Sequence, residues 1–144
     1  KRAPLLVEAL GWVGSPAIRN RGTVGGSLAH ADPAAELPAV AVALDCEVEA
    51  RSSRGERRIP ARELFAAPMV SALQPDEVLT HLRIPTQPPG AGHAWHEWAR
   101  RHADRPVVGV AVSLIVAADG LTARALAQAW TRAQHQTQNG KQVQ

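Results

Sequence analysis

Cysteine is all but missing from this sequence, with Cys46 standing alone among 144 residues. One thiol excludes an intrachain disulfide and any multi-cysteine zinc or iron–sulfur site built by this chain, and it fits a reducing compartment. Aromatic residues are nearly as scarce: four Trp, one Phe and no Tyr. Little is left with which to stack nucleobases. The pI near 10 comes from short arginine groups, Arg19 and Arg21, Arg51 to Arg58, and Arg100 and Arg101, interrupted by Glu47, Glu49, Glu56 and Glu63. Without a long basic run, nucleic acid is not an expected partner. No signal peptide is visible, and the longest apolar run, Val107 to Ala118, is too short to span a bilayer and contains Gly109 and Ser113. The expectation is a soluble, cytoplasmic protein with no membrane span. Also missing are the Gly-x4-Gly-Lys-[Ser/Thr] loop and any Gly-x-Gly-x-x-Gly run after a strand, which removes the two commonest nucleotide fingerprints.

What is present is concentrated in Gly22-Thr23-Val24-Gly25-Gly26-Ser27-Leu28-Ala29-His30-Ala31-Asp32-Pro33-Ala34-Ala35-Glu36-Leu37-Pro38. Paired glycines let a backbone take positive φ and leave no Cβ between main chain and ligand, so N–H donors can converge on a phosphate. Thr23 and Ser27 add hydroxyls. Asp32-Pro33 reads as a helix start, Asp32 as N-cap and Pro33 at the first helical position. The plain alternative is that Gly-Gly is only a turn. Asp32 and Glu36 lie one helical turn apart and would share a face. Capping is the plain reading for Asp32, whereas Glu36 stands open between a first-turn role at the helix dipole and a ligand role.

Around that run the pattern alternates helices and strands. Residues 3 to 12 place Leu5, Leu6, Ala9 and Leu10 at helical spacing, with Gly14 and Pro16 as the stop. Ser15 to Arg21 reads as an irregular approach to the glycines. A second helix is expected from Pro33 to Leu44, apolar on almost every side after Glu36 and therefore buried, with Pro38 bending or tightening its first turn. Glu47 to Arg51, a turn at Ser52 to Gly55 and Arg57 to Pro60 form a hairpin with one solvated face. Ala61 to Ala66 is a short helix. Glu77 to Pro85 is a strand with Leu82 and Ile84 on one face. Gln87-Pro88-Pro89-Gly90-Ala91-Gly92 is the best linker signal, and the domain boundary is placed there. Beyond it, His93 to Arg100 reads as a strand with Trp95 and Glu97 on one face and His96 and Trp98 on the other. Val107 to Ala117, a turn at Asp119-Gly120, and Leu121 to Trp130 make a second hairpin. The Gln-rich tail from Thr131 is expected to be disordered.

Chemistry by side chains alone finds little support. His93, His96 and His102 are the only histidine cluster, and in a strand His93 and His96 would face opposite ways, so no metal site is expected. Cys46 reads as a small buried thiol, and no Ser sits in a Gly-x-Ser-x-Gly elbow. No catalytic residue is assigned.

The run from Gly14 to Leu44 closely resembles the second flavin-binding motif of the FAD subunit of molybdenum hydroxylases, a family that includes the medium subunit of aerobic carbon monoxide dehydrogenase and the flavin domain of xanthine dehydrogenase. The similarity continues through Leu79-Thr80-His81-Leu82-Arg83-Ile84-Pro85 and Ala99-Arg100-Arg101-His102-Ala103-Asp104. The resemblance implies an α+β fold, a mostly antiparallel sheet with flanking helices. Residues 1–86 would be the second subdomain of a PCMH-type FAD-binding domain, 87–92 a linker, 93–130 the start of an incomplete C-terminal α+β domain, and 131–144 a polar tail. It implies FAD as cofactor, with Thr23, Val24, Gly25, Gly26 and Ser27 at the pyrophosphate and ribityl chain. Glu36 would take ribose or ribityl hydroxyls, Asp32 and His30 would lie nearby, and Leu79 would make an apolar contact to a ring. His96 stands where relatives often carry Lys. The implied function is electron transfer, from iron–sulfur clusters through FAD to an external acceptor. The implied partners are a molybdenum-cofactor large subunit and an iron–sulfur small subunit. The family's first flavin motif, an Ala-Gly-Gly-type loop, has no counterpart before Lys1. A second expectation therefore accompanies the first: a truncated, non-catalytic remnant that does not retain FAD alone.

Overall fold

A computed structural model of the chain describes residues 3–102, 104–116 and 123–131. Helix α1 (Pro4–Leu10) starts with Pro4 at a position where its missing N–H costs nothing, and it buries Leu5 and Ala9. The stretch read as irregular holds one helical turn, α2 (Pro16–Arg19), because the Ser15 side chain accepts from the Ile18 N–H and Pro16 again occupies the first turn. Helix α3 (Val24–His30) follows, then α4 (Glu36–Ala43).

Helix α4 begins three residues later than its composition suggests, and the reason is Pro38. A helix begun at Pro33 would set the Pro38 ring against the carbonyl of Ala34, whereas a start at Glu36 keeps Pro38 in the first turn. Ala35 is accordingly extended (φ −90°, ψ 144°) and is the N-cap in place of Asp32. Leu37, Ala39, Val40, Ala41 and Ala43 are all buried, as expected of a helix that is apolar all round.

The first sheet has the order β2-β1-β5, all antiparallel. Strands β1 (Glu47–Ser52) and β2 (Gly55–Pro60) form the hairpin, and β5 (Val78–Arg83) covers the other edge of β1. Val48 pairs with Ile59 and with Leu82, so these apolar side chains meet on one face. The other face is not simply solvated. Glu49 is buried because Arg83 Nη2 lies 2.8 Å and His81 Nδ1 2.9 Å from its oxygens. The Arg83 hydrogen bond holds this carboxyl far below the usual range, at about 2. Between β2 and β5 lie α5 (Ala61–Leu64) and a small ladder of β3 (Phe65–Ala67) with β4 (Val70–Ser71).

The second sheet has the order β6-β7-β8, with β6 (Gly92–Trp98), β7 (Val108–Val116) and β8 (Ala123–Thr131) antiparallel. It packs on α1 and α4, and Ala111 joins the same hydrophobic cluster as Leu5, Leu28, Val40 and Val48. Strand β6 is an edge, and α1 protects it: the Trp95 backbone N–H donates to Glu8 Oε2 at 3.2 Å. Cys46 is a free thiol buried in the cluster, and burial with the neighbouring Asp45 pushes it up to about 12. The turn at Asp119-Gly120 and the tail from residue 132 lie outside the described residues. Among the described residues no helix is long and apolar enough to cross a membrane.

Candidate functional site

The glycine pair is helical rather than a loop. Gly25 and Gly26 sit in the first turn of α3, and neither has positive φ. Thr23 sets this up as the N-cap, its Oγ1 accepting the Gly26 N–H at 3.0 Å. The two glycines then serve different purposes. A Cβ on Gly25 would face β5 in ordinary contact, 3.6 Å from the Leu79 carbonyl oxygen, so α3 lies directly against the strand there. A Cβ on Gly26 would stand 2.9 Å from Thr23 Oγ1, so Gly26 leaves room for the cap. Gly22, Thr23, Val24 and Gly26 are exposed, and Ser27 is half-buried. The first-turn N–H groups of Val24 and Gly25 have no partner within the helix.

Helix α3 ends on Ala31 in the left-handed region (φ 53°), which swings the chain toward α4. Asp32 there makes a local turn, Oδ1 accepting the Ala34 N–H at 2.9 Å. The same carboxylate takes Arg105 Nη2 at 2.7 and 2.8 Å, which ties the segment to the second sheet's β6–β7 connection. His30, the last residue of α3, is exposed.

Glu36 opens α4 at 8% exposure. No hydrogen bond from another residue reaches its carboxylate among the described residues. Burial raises its pKa above the usual carboxylate value; its own backbone N–H opposes the shift and the Asp32 charge adds to it. Opposite stands the inner face of β6, with Trp95 and Glu97. Glu97 is 4% exposed, and among the described residues neither of its oxygens nor the Trp95 indole N–H has a hydrogen-bond partner. Burial and the Glu36 charge push the Glu97 carboxyl up to about 7; the nearby indole N–H tempers the rise without reaching hydrogen-bond geometry.

The structure therefore brings Thr23 to Ser27 against Leu79, and Asp32 within electrostatic reach of Glu36. His96 is apart from them, exposed on the face of β6 opposite Trp95 and Glu97. Sequence reasoning placed Trp95 and Glu97 on one face but gave them no role, and it missed Arg105. The position of Arg105, 73 residues from its partner, carries no periodic signal. Among the described residues no group of three or more His, Cys, Asp and Glu could hold a metal ion.

These residues suit a phosphate-bearing, polyhydroxylated cofactor. An exposed, capped helix start with hydroxyls on either side can meet an anion, and a buried carboxylate that no other described residue reaches can accept from ligand hydroxyls. Comparison with known proteins points the same way. Residues 1–87 match the family described as the FAD binding domain in molybdopterin dehydrogenase. The chain is 48% identical over 122 residues to the 6-hydroxypseudooxynicotine dehydrogenase complex subunit alpha of Paenarthrobacter nicotinovorans, covering 85% of this chain and 41% of that one. Its fold superposes on carbon monoxide dehydrogenase from Hydrogenophaga pseudoflava with a TM-score of 0.84 at 32% identity, over 90% of this chain and 45% of that one. Quinoline 2-oxidoreductase from Pseudomonas putida 86 gives a TM-score of 0.78 at 35% identity, over 88% and 44%. The chain thus spans less than half the length of these relatives.

Proposed function

The chain belongs to the family of FAD-binding domains of molybdopterin dehydrogenases, and from that premise we propose that it serves as part of the electron-transfer flavoprotein of a molybdenum hydroxylase complex. Bound FAD would supply the redox chemistry, taking electrons from iron–sulfur clusters and releasing them to an external acceptor, while this chain binds and orients it. A molybdenum-cofactor subunit and an iron–sulfur subunit are the corresponding partners, and the cytoplasm is the corresponding compartment.

In this reading the first-turn N–H groups of Val24 and Gly25, with the Thr23 and Ser27 hydroxyls, approach the pyrophosphate and ribityl chain. Gly26 keeps that approach free of a side chain. Leu79 supplies apolar contact beside Gly25, and Asp32, paired with Arg105, fixes the turn that leads into Glu36. His30 and His96 remain in the set on the resemblance alone. The division at 87–92, with residues 93–130 beginning a further domain, belongs to the same reading.

The observation that carries it is Glu36, a buried carboxylate with no donor from the rest of the described chain, one short turn after the capped helix α3. Hydrogen bonds from ligand hydroxyls to a charged acceptor are worth roughly 1.5 to 3 kcal/mol, so Glu36→Gln should weaken FAD by about tenfold or more. Titration of FAD into the purified chain and its Glu36→Gln variant measures this directly. Superimposable curves would return Glu36 to a purely structural place in the first turn of α4.

A further inference from the structure

Glu97 is an ionisable side chain sealed from solvent at both oxygens, with no hydrogen-bond partner among the described residues. Its surroundings are defined by Gly109, its register partner in β7. A Cβ on Gly109 would stand 4.0 Å from Glu97 Cγ and 3.8 and 3.9 Å from two ring carbons of Trp95. These are ordinary contact distances, so both side chains pack against the bare Gly109 backbone. Gly109, Trp95 and Glu36 in turn line one pocket with Ala34, Ala35 and Pro106, of about 10 Å³. That is space for a single water at most, and excludes both bulk solvent and a hydrated counter-ion.

Among the described side chains, the charged groups on the packed elements are engaged elsewhere or face away. In α4 Glu36 is the sole titratable residue. Ahead of it, Asp32 is paired with Arg105. In α1, Glu8 is held by the Trp95 backbone and lies 3.4 Å from His93. Strand β7 has no titratable residue. Arg124 of β8 sits opposite Ile115, toward the far end of β7 from Gly109. On β6 itself His96 faces the other way. Glu36 lines that pocket with Trp95 and Gly109, and Glu97 packs against the same Gly109; among the described side chains no free cation faces either carboxyl, and in such a low-dielectric interior both cannot ionise near neutrality.

We propose that Glu36 and Glu97 form a carboxyl pair carrying one proton, held on Glu97, and that Glu97 is thereby the positioning residue that leaves Glu36 the ionised acceptor. The assignment within the pair follows from place. Glu36 sits in the first turn of α4, where the helix dipole favours a charge, and is the more exposed of the two. Glu97 sits mid-strand with both oxygens sealed. A carboxyl whose folded pKa is raised from 4.5 to about 7 favours the folded state fully below 4.5 and loses that contribution as pH rises through 7.

The role of Glu36 toward FAD rests on the function proposed above; the proton does not. Infrared spectroscopy of the purified chain reads it directly. A protonated-carboxyl C=O band should be present at about pH 6, vanish by about pH 9, and be lost in Glu97→Gln but kept in Glu36→Gln. The thermal midpoint of the wild type should fall between about pH 4.5 and 7, and that of Glu97→Gln should fall less. A wild-type spectrum without the band, or a band that survives Glu97→Gln, would overturn the pair, and the wild-type titration decides the matter even if the variant fails to fold. Unchanged FAD binding in Glu36→Gln alongside a normal band would instead count against the ligand role and leave the pair standing.

Discussion

Gly25 and Leu79 meet where α3 lies on β5, with the Leu79 carbonyl oxygen 3.6 Å and its Cδ2 3.7 Å from the point a Gly25 Cβ would occupy. These are ordinary contact distances. Gly25→Ala should therefore fit, and because Gly25 is helical it should stabilise the chain by about 0.5–1 kcal/mol. Gly25→Val adds γ-carbons into the strand and should cost about 1–3 kcal/mol. Urea unfolding midpoints test both signs, and an Ala variant that unfolds earlier than the wild type would mean that α3 sits more tightly than this.

Gly26 and Thr23 should behave as one unit. Gly26→Ala puts a Cβ 2.9 Å from Thr23 Oγ1 and must displace the cap; Thr23→Ala removes it outright. Each should cost about 1 kcal/mol. The double variant should cost little more than either, since the same hydrogen bond is lost once. Fully additive losses in a double-mutant cycle would separate the two residues.

Glu49 should shape the acid limb of the stability curve. Its carboxyl is held at about 2 against an ordinary 4.5, chiefly by Arg83. A depressed folded pKa contributes stability that is present above 4.5 and lost as pH falls through about 2. Glu49→Gln should lower stability at neutral pH and flatten the curve over that acid range, as followed by circular dichroism. An unaltered acid limb would mean that solvent screens the Arg83 contact.

The Asp32 carboxylate does two jobs with different energetic weight. The Arg105 end of the ion pair is well exposed, so Arg105→Ala should cost no more than about 1 kcal/mol. Asp32→Asn retains an acceptor for the Ala34 N–H and should cost about as little. Asp32→Ala loses the turn as well and should cost about 1 kcal/mol more than Asp32→Asn. If chemical denaturation ranks Arg105→Ala as the most damaging of the three, the link to the second sheet outweighs the local turn.

The strands were legible because alternation and turn residues act locally: Ser52 to Gly55 fixes one hairpin, and the apolar run from Val107 fixes β7. The buried helix α4 was legible from its apolar girth, although its start was not, since Pro33 and Pro38 compete for the first turn and only a steric argument decides between them. The glycine pair was misread for a related reason. Adjacent glycines permit positive φ without requiring it, and the Thr23 cap together with the close approach to Leu79 favours a helix. Glu49 looked solvated because alternation predicts a face but not what a neighbouring strand lays over it. The pairs Asp32 with Arg105 and Glu36 with Glu97 depend on how the second sheet docks, a relation that no local pattern encodes.

The bond from the Trp95 backbone to Glu8 bears on the order in which the chain is made. Its ends are 87 residues apart, so α1 leaves the ribosome long before the strand whose edge it covers. A contact so distant in sequence costs more chain entropy to close than the local hairpins, which favours forming this seam after them. Until then β6 presents an unpaired edge, and α1 holds Leu5 and Ala9 with one neighbouring surface still absent. Synthesis stalled before β6 would therefore leave α1 waiting for one of its packing surfaces and make it the stretch most dependent on a chaperone.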